Sequence, residues 1–104
     1  MPKTAKIEDA LTAAPHNYKL LFENDRVRML ALTIDPGERT AMHSLRDHLV
    51  YNISDCTATF ISPEGESEKC NMNAGQAHWF PGTSHEMVNE GSKPLELIIT
   101  EFKD

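Results

Sequence analysis

The chain is poor in several features that would mark common functions. No apolar run approaches the ~20 residues that a membrane-spanning helix requires. The opening Met1-Pro2-Lys3-Thr4-Ala5-Lys6 has no apolar core of a secretory signal, so a cytoplasmic location is the default expectation. Two cysteines in 104 residues, Cys56 and Cys70, are too few for a disulfide framework, and both are expected as reduced thiols. Lysine and arginine are nowhere clustered and the formal net charge is −6, which argues against a nucleic-acid backbone as partner. A Gly-rich phosphate loop, a Ser-x-Gly elbow and paired carboxylates are all missing. Phosphoryl transfer, serine hydrolysis and glycoside hydrolysis therefore have no support.

What is present is β-structure punctuated by turns. Ile7–Ala14 has helix-forming composition and stops at Pro15, so a short helix is expected there. Beyond it, runs at Tyr18–Glu23, Arg26–Asp35, Arg39–His43, His48–Ile53, Thr57–Ser62, Ser67–Met72, Ala77–Phe80, Glu86–Asn89 and Leu95–Phe102 alternate with Asn-Asp, Pro-Gly and Gly-Ser turn chemistry. About nine short strands at this spacing predict an all-β sandwich or barrel. No repeat or linker divides the chain. One domain is expected over 1–104, with an N-terminal arm at 1–17 and a strand-rich body at 18–103.

Two histidine-bearing stretches carry the chemistry. One is Gly75-Gln76-Ala77-His78-Trp79-Phe80-Pro81-Gly82-Thr83-Ser84-His85, running on to Asn89. The other is Pro36-Gly37 followed by His43 and His48. Alternation along a strand puts Arg39, Ala41 and His43 on one side, His48, Val50 and Asn52 on one side, and His85, Met87 and Asn89 on one side. If these sides point inward, three imidazoles converge, with Asn52, Met87 and Arg39 nearby. An inward Arg39 would suit a carboxylate-bearing ligand; the plainer reading is an exposed arginine at a strand end. Three neutral imidazoles are chemically adequate for a divalent transition metal. The plainer alternative is a metal-free pocket lined by polar residues.

Other candidates weigh differently. His78 shares a face with Phe80 and is read as a structural or pocket-rim residue, with substrate positioning as its functional reading. Trp79 faces the other way, to the core, a subunit interface or a pocket. His16 is expected in solvent. Met29, Met42, Met72 and Met87 are scattered as core filling would scatter them. Counting outward from the Pro63–Glu66 turn pairs Cys70 with about Thr59, which leaves Cys56 offset and a disulfide unexpected. Glu86 should point away from the face of His85.

The two stretches resemble the motifs of the cupins, specifically small single-domain cupins of the conserved-barrel type. Gly75, Pro81, Gly82, His85 and Asn89 fill the second motif, with a Pro-Gly turn one residue shorter than the commonest form. Gly37 and His43 fit the first, where Leu45 stands in place of a second histidine and His48 in place of the glutamate. The resemblance covers about residues 18 to 103. It implies a jelly-roll β-barrel and a divalent metal (Fe, Zn, Ni or Mn) held by His43, His48 and His85. Arg39, Asn52, His78 and Met87 are the candidate substrate contacts. It also implies a metal-dependent enzyme of dioxygenase, isomerase or lyase type acting on a small organic molecule. The alternative is a non-catalytic ligand-binding cupin with a metal-free site. A homodimer is the expected assembly.

Overall fold

The structure, a computed structural model, describes residues 7–103. The first six residues of the expected arm lie outside the described residues. Nine strands follow one helical turn. They are α1 (Ala10–Ala13), β1 (Tyr18–Glu23), β2 (Val27–Ile34), β3 (His43–Leu45), β4 (His48–Asn52), β5 (Cys56–Ile61), β6 (Ser67–Met72), β7 (Ala77–Phe80), β8 (Thr83–Asn89) and β9 (Leu95–Phe102). They form two antiparallel sheets, ordered β1-β2-β9-β4-β7 and β3-β8-β5-β6. Alternation is sharpest in β4, β8 and β9, where every second side chain is buried, as expected of strands with one face on a core. Leu30, Leu32, Ile34, Leu95, Leu97 and Ile99 fill the space between the sheets. The nonconsecutive strand neighbours are those of a jelly roll, so the expected fold class holds.

The expected helix shrinks to a single turn. The Asp9 side chain caps it by accepting from the Leu11 amide. Asp9 also bridges Ser44 in parallel fashion, so the arm closes the free edge of β3. The Asp9 carboxylate pairs with Arg28, which also donates to Glu101 at 2.7 Å. Glu101 is 1% exposed and accepts from the Arg46 amide at 2.9 Å. Burial of that carboxylate is tolerated because both of its oxygens are hydrogen-bonded.

Two expectations fail for local reasons. The strand expected at Arg39–His43 begins at His43 instead, and Arg39 makes only an isolated bridge to Val88. Thr40 and His43 are both buried, three residues apart, so strict alternation breaks between them. Arg39 points outward, more than half exposed, and pairs with Glu86 at 3.0 Å. Cys70 pairs with Ala58, not Thr59. The hairpin closes with the Ser62 amide on Glu66 O around Pro63, Glu64 and Gly65. Gly65 sits at φ +89°, so the loop has three residues rather than four, and the register moves by one. Both cysteines are free thiols.

Candidate functional site

A cavity of about 910 Å³ opens between the sheets at one end of the barrel. Its walls are mainly apolar, from Leu45, Val50, Phe60, Met72, Leu97 and Ile99. Phe80 and Met87 also line it, as do two imidazoles, His48 and His85. The rim is polar: Ser62, Glu66, Ser67 and Glu68 come from the β5–β6 hairpin, and Thr83 and Ser84 open β8.

Each histidine is placed by a strand register. His43 lies opposite His85 across β3 and β8, and their rings meet edge-on with centroids 5.0 Å apart. His48 lies opposite Phe80 across β4 and β7 and stacks on it at 5.6 Å. His43 and His85 are thus neighbours within one sheet, and His48, from the other sheet, shares the cavity lining with His85. The surroundings of their nitrogens differ. His43 is fully buried, with Nδ1 2.8 Å from Ala41 O and 3.3 Å from Thr40 Oγ1. The Tyr18 hydroxyl lies 2.9 Å from its Nε2. A carbonyl at Nδ1 requires the proton there, so Nε2 is the acceptor and Tyr18 donates to it. His48 Nδ1 donates to Arg46 O at 2.6 Å, which leaves Nε2 as its lone-pair acceptor. His85 Nε2 is buried without a partner.

Burial dominates their titration. It lowers the pKa of all three, and for His85 the nearby His43 and His48 add repulsion that carries it to about 3. The imidazoles are therefore neutral at pH 7. The Tyr18 hydroxyl is pushed up by burial and by the Glu101 and Asp9 charges, so it stays a donor.

Neutral imidazoles suit a metal, but this set is incomplete as arranged. The Nε2 lone pair of His43 is committed to Tyr18 and its Nδ1 to backbone, and His43 does not line the cavity. Leu45, at the position of the second motif histidine, contributes an apolar wall. Among the described residues, no group of three or more His, Cys, Asp or Glu is arranged to hold a metal ion.

The candidate substrate contacts separate. Met87 lines the cavity. Asn52 is fully buried but donates to Asn73 O at 3.0 Å, away from the cavity lining. His78 shares the inward side with Phe80, 6.3 Å away between ring centroids, yet does not reach the cavity. Arg39 is outside altogether. Trp79, 55% exposed, is on the outer sheet face and not in the core. His16 is exposed, and Glu86 faces outward as expected. Asn89 of the second motif is a structural clasp: its amide donates to Ile34 O and Lys93 O, and its oxygen accepts from Gly91. Sequence reasoning missed Tyr18, Glu101 and Glu68. Glu68 carried a readable signal, since Glu68, Cys70 and Met72 alternate on one side of β6. The Tyr18–His43 contact joins residues 25 apart and had none.

A two-sheet jelly roll with inward histidines on β3, β4 and β8 and a cavity at one mouth is the architecture of the cupins, and the chain has the cupin fold. It matches a cupin domain from Bordetella pertussis at 21% identity over 97% of this chain and 100% of that one, with a TM-score of 0.78. The polyketide cyclase RemF from Streptomyces resistomycificus matches at 16% identity over 100% and 81%, with a TM-score of 0.65. An RmlC-like cupin from Methanocaldococcus jannaschii matches at 18% over 82% and 77%, with a TM-score of 0.63. Structures of this fold thus include an enzyme. No family model matches the sequence, and no curated protein does. No helix among the described residues is long and apolar enough to cross a membrane.

Proposed function

We propose that this chain is a small-ligand-binding cupin whose cavity holds a mainly apolar organic molecule without help from a metal. The observation that carries this reading is the 910 Å³ cavity itself. It lies within the range of ligand pockets and has the usual makeup, apolar walls with a few convergent polar groups. The polyketide cyclase RemF has the same fold, which fits the reading that such a barrel can serve an organic ligand. His48 Nε2 is the acceptor that would orient the ligand, and Met87 and Phe60 are its packing surfaces.

The test is thermal unfolding of the chelator-treated protein against phenylalkyl alcohols of increasing chain length. A ligand at 100 times its dissociation constant should stabilise the fold by about 2.7 kcal/mol. Stabilisation by none of the series refutes the reading. The competing reading is a divalent metal held by His43, His48 and His85. It is favoured by the orphaned Nε2 of His85 and requires the Tyr18–His43 bond to open. Stabilisation by metal alone, lost in a His43/His85 double-alanine variant, would support it instead.

The assembly we propose is a homodimer formed by the outer face of the five-stranded sheet. Phe22, Met29, Thr100, Leu49 and Trp79 lie opposite one another in a single row across all five strands. Phe22, Leu49, Tyr51, Ile53 and Trp79 are 42–55% exposed. These five side chains alone offer on the order of 500 Å², most of the ~800 Å² per partner of a standard interface. The occupant we propose is a second copy, since twofold homodimers are the commonest closed assemblies and a twofold axis sets the same patch of both copies face to face. Sedimentation should give a dimer that Leu49→Glu converts to monomer. A monomeric parent would overturn the proposal.

A further inference from the structure

We propose that the cavity selects a ligand with an apolar body and a cationic, hydrogen-bond-donating group, and rejects carboxylates. This rests on the ligand-binding reading above and specifies the chemical class. Among the described residues, Glu66 and Glu68 are the only charged side chains that line the cavity; no lysine or arginine does. Glu68 lies opposite Phe60 across β5 and β6, and Phe60 lines the cavity with its ring 5.1 Å from that of His85. The carboxylate is therefore on the inward side of its strand, and among the described residues it makes no ion pair. Glu66 sits beside it where the hairpin closes.

The deeper polar groups point to the same class. His48 offers a lone pair, because its Nδ1–H is spent on Arg46 O. His85 lines the cavity, is about nine-tenths buried, and holds no hydrogen bond at its buried Nε2. Such an uncharged side chain left unpartnered in a ligand cavity is an uncommon cost for a fold to carry. Two carboxylates at the mouth attract a cation and repel an anion, and no lysine or arginine of the lining offers an anion a counter-charge. Arg39, the residue that would have paired a ligand carboxylate, is outside the barrel and occupied by Glu86.

Calorimetric titration of the full chain with three near-isosteric probes tests this: 4-phenylbutylamine, 4-phenylbutan-1-ol and 4-phenylbutyrate. The amine should bind about tenfold more tightly than the alcohol, and the carboxylate more weakly than either. The amine preference should shrink with added salt, since the mouth carboxylates are exposed. In the Glu66→Gln/Glu68→Gln variant the amine-to-alcohol ratio should fall toward one. Binding of all three probes with equal affinity, or an amine preference that survives in that variant, would overturn the charge selection while leaving the ligand cavity intact. Tightest binding of the carboxylate would do the same. Binding of none would overturn the cavity reading and this inference together.

Discussion

Acidification should unfold this barrel through His85, and the size of the effect follows from its burial. Its ordinary pKa of 6.5 falls to about 3 in the fold, through burial and the neighbouring His43 and His48. The unfolded chain takes up a proton near pH 6.5 that the folded chain refuses. Stability contributed by neutral His85 is thus fully present above 6.5 and is lost progressively as pH falls from 6.5 toward 3. Between pH 7 and 5 the loss is about 2 kcal/mol. It depends almost wholly on the unfolded value, so long as the folded pKa stays below 5. His43 and His48, also lowered by burial, add in the same direction. The perturbation that isolates His85 is His85→Gln, which cannot titrate and is close in size. Urea unfolding followed by circular dichroism, with a chelator present, gives stability at pH 7, 6 and 5. The parent should lose about 2 kcal/mol more than the variant over that range. Equal losses in parent and variant would refute the claim that His85 is buried in neutral form.

Other expectations follow from single contacts. Tyr18→Phe removes the hydroxyl from His43 Nε2 and should cost about 1–3 kcal/mol in urea unfolding, because a buried acceptor is left unpaired. The same variant frees that lone pair, so zinc affinity measured by competition with a chromophoric chelator should rise. Arg28→Ala strands the buried Glu101 carboxylate and releases Asp9, and it should cost about 3–5 kcal/mol. Gly75→Ala should cost about 1 kcal/mol, although nothing lies within 4 Å of the added methyl, because φ +85° is disfavoured for an L side chain.

The fold was readable where local and global signals agreed. The Asn-Asp and Pro-Gly turns set the strand number, and alternation in β4 and β8 set which residues share a face with His48 and with His85. It failed at Thr40 to His43, where an irregular stretch lets residues of opposite parity both face the core. It failed again at the β5–β6 hairpin, where a left-handed Gly65 shortens the loop by one residue and shifts Cys70 against Ala58. Motif spacing found the three histidines but not their surroundings. Whether a lone pair is free depends on a partner brought by the tertiary fold, and Tyr18 comes from a strand of the other sheet. The polarity of the cavity was legible only in part. Arg39 is exposed, as its plainer reading had it, whereas the inward side of Glu68 gives the cavity mouth a negative charge that had not been anticipated.

The most direct test of the central claim is elemental mass spectrometry of the untagged protein, purified and then incubated in turn with Fe(II), Zn, Ni and Mn. With His43 held by Tyr18, well under one equivalent per chain should remain after gel filtration, and Tyr18→Phe should retain more. One tightly held equivalent in the parent, lost on His43→Ala, would contradict the metal-free cavity and restore the three-histidine centre.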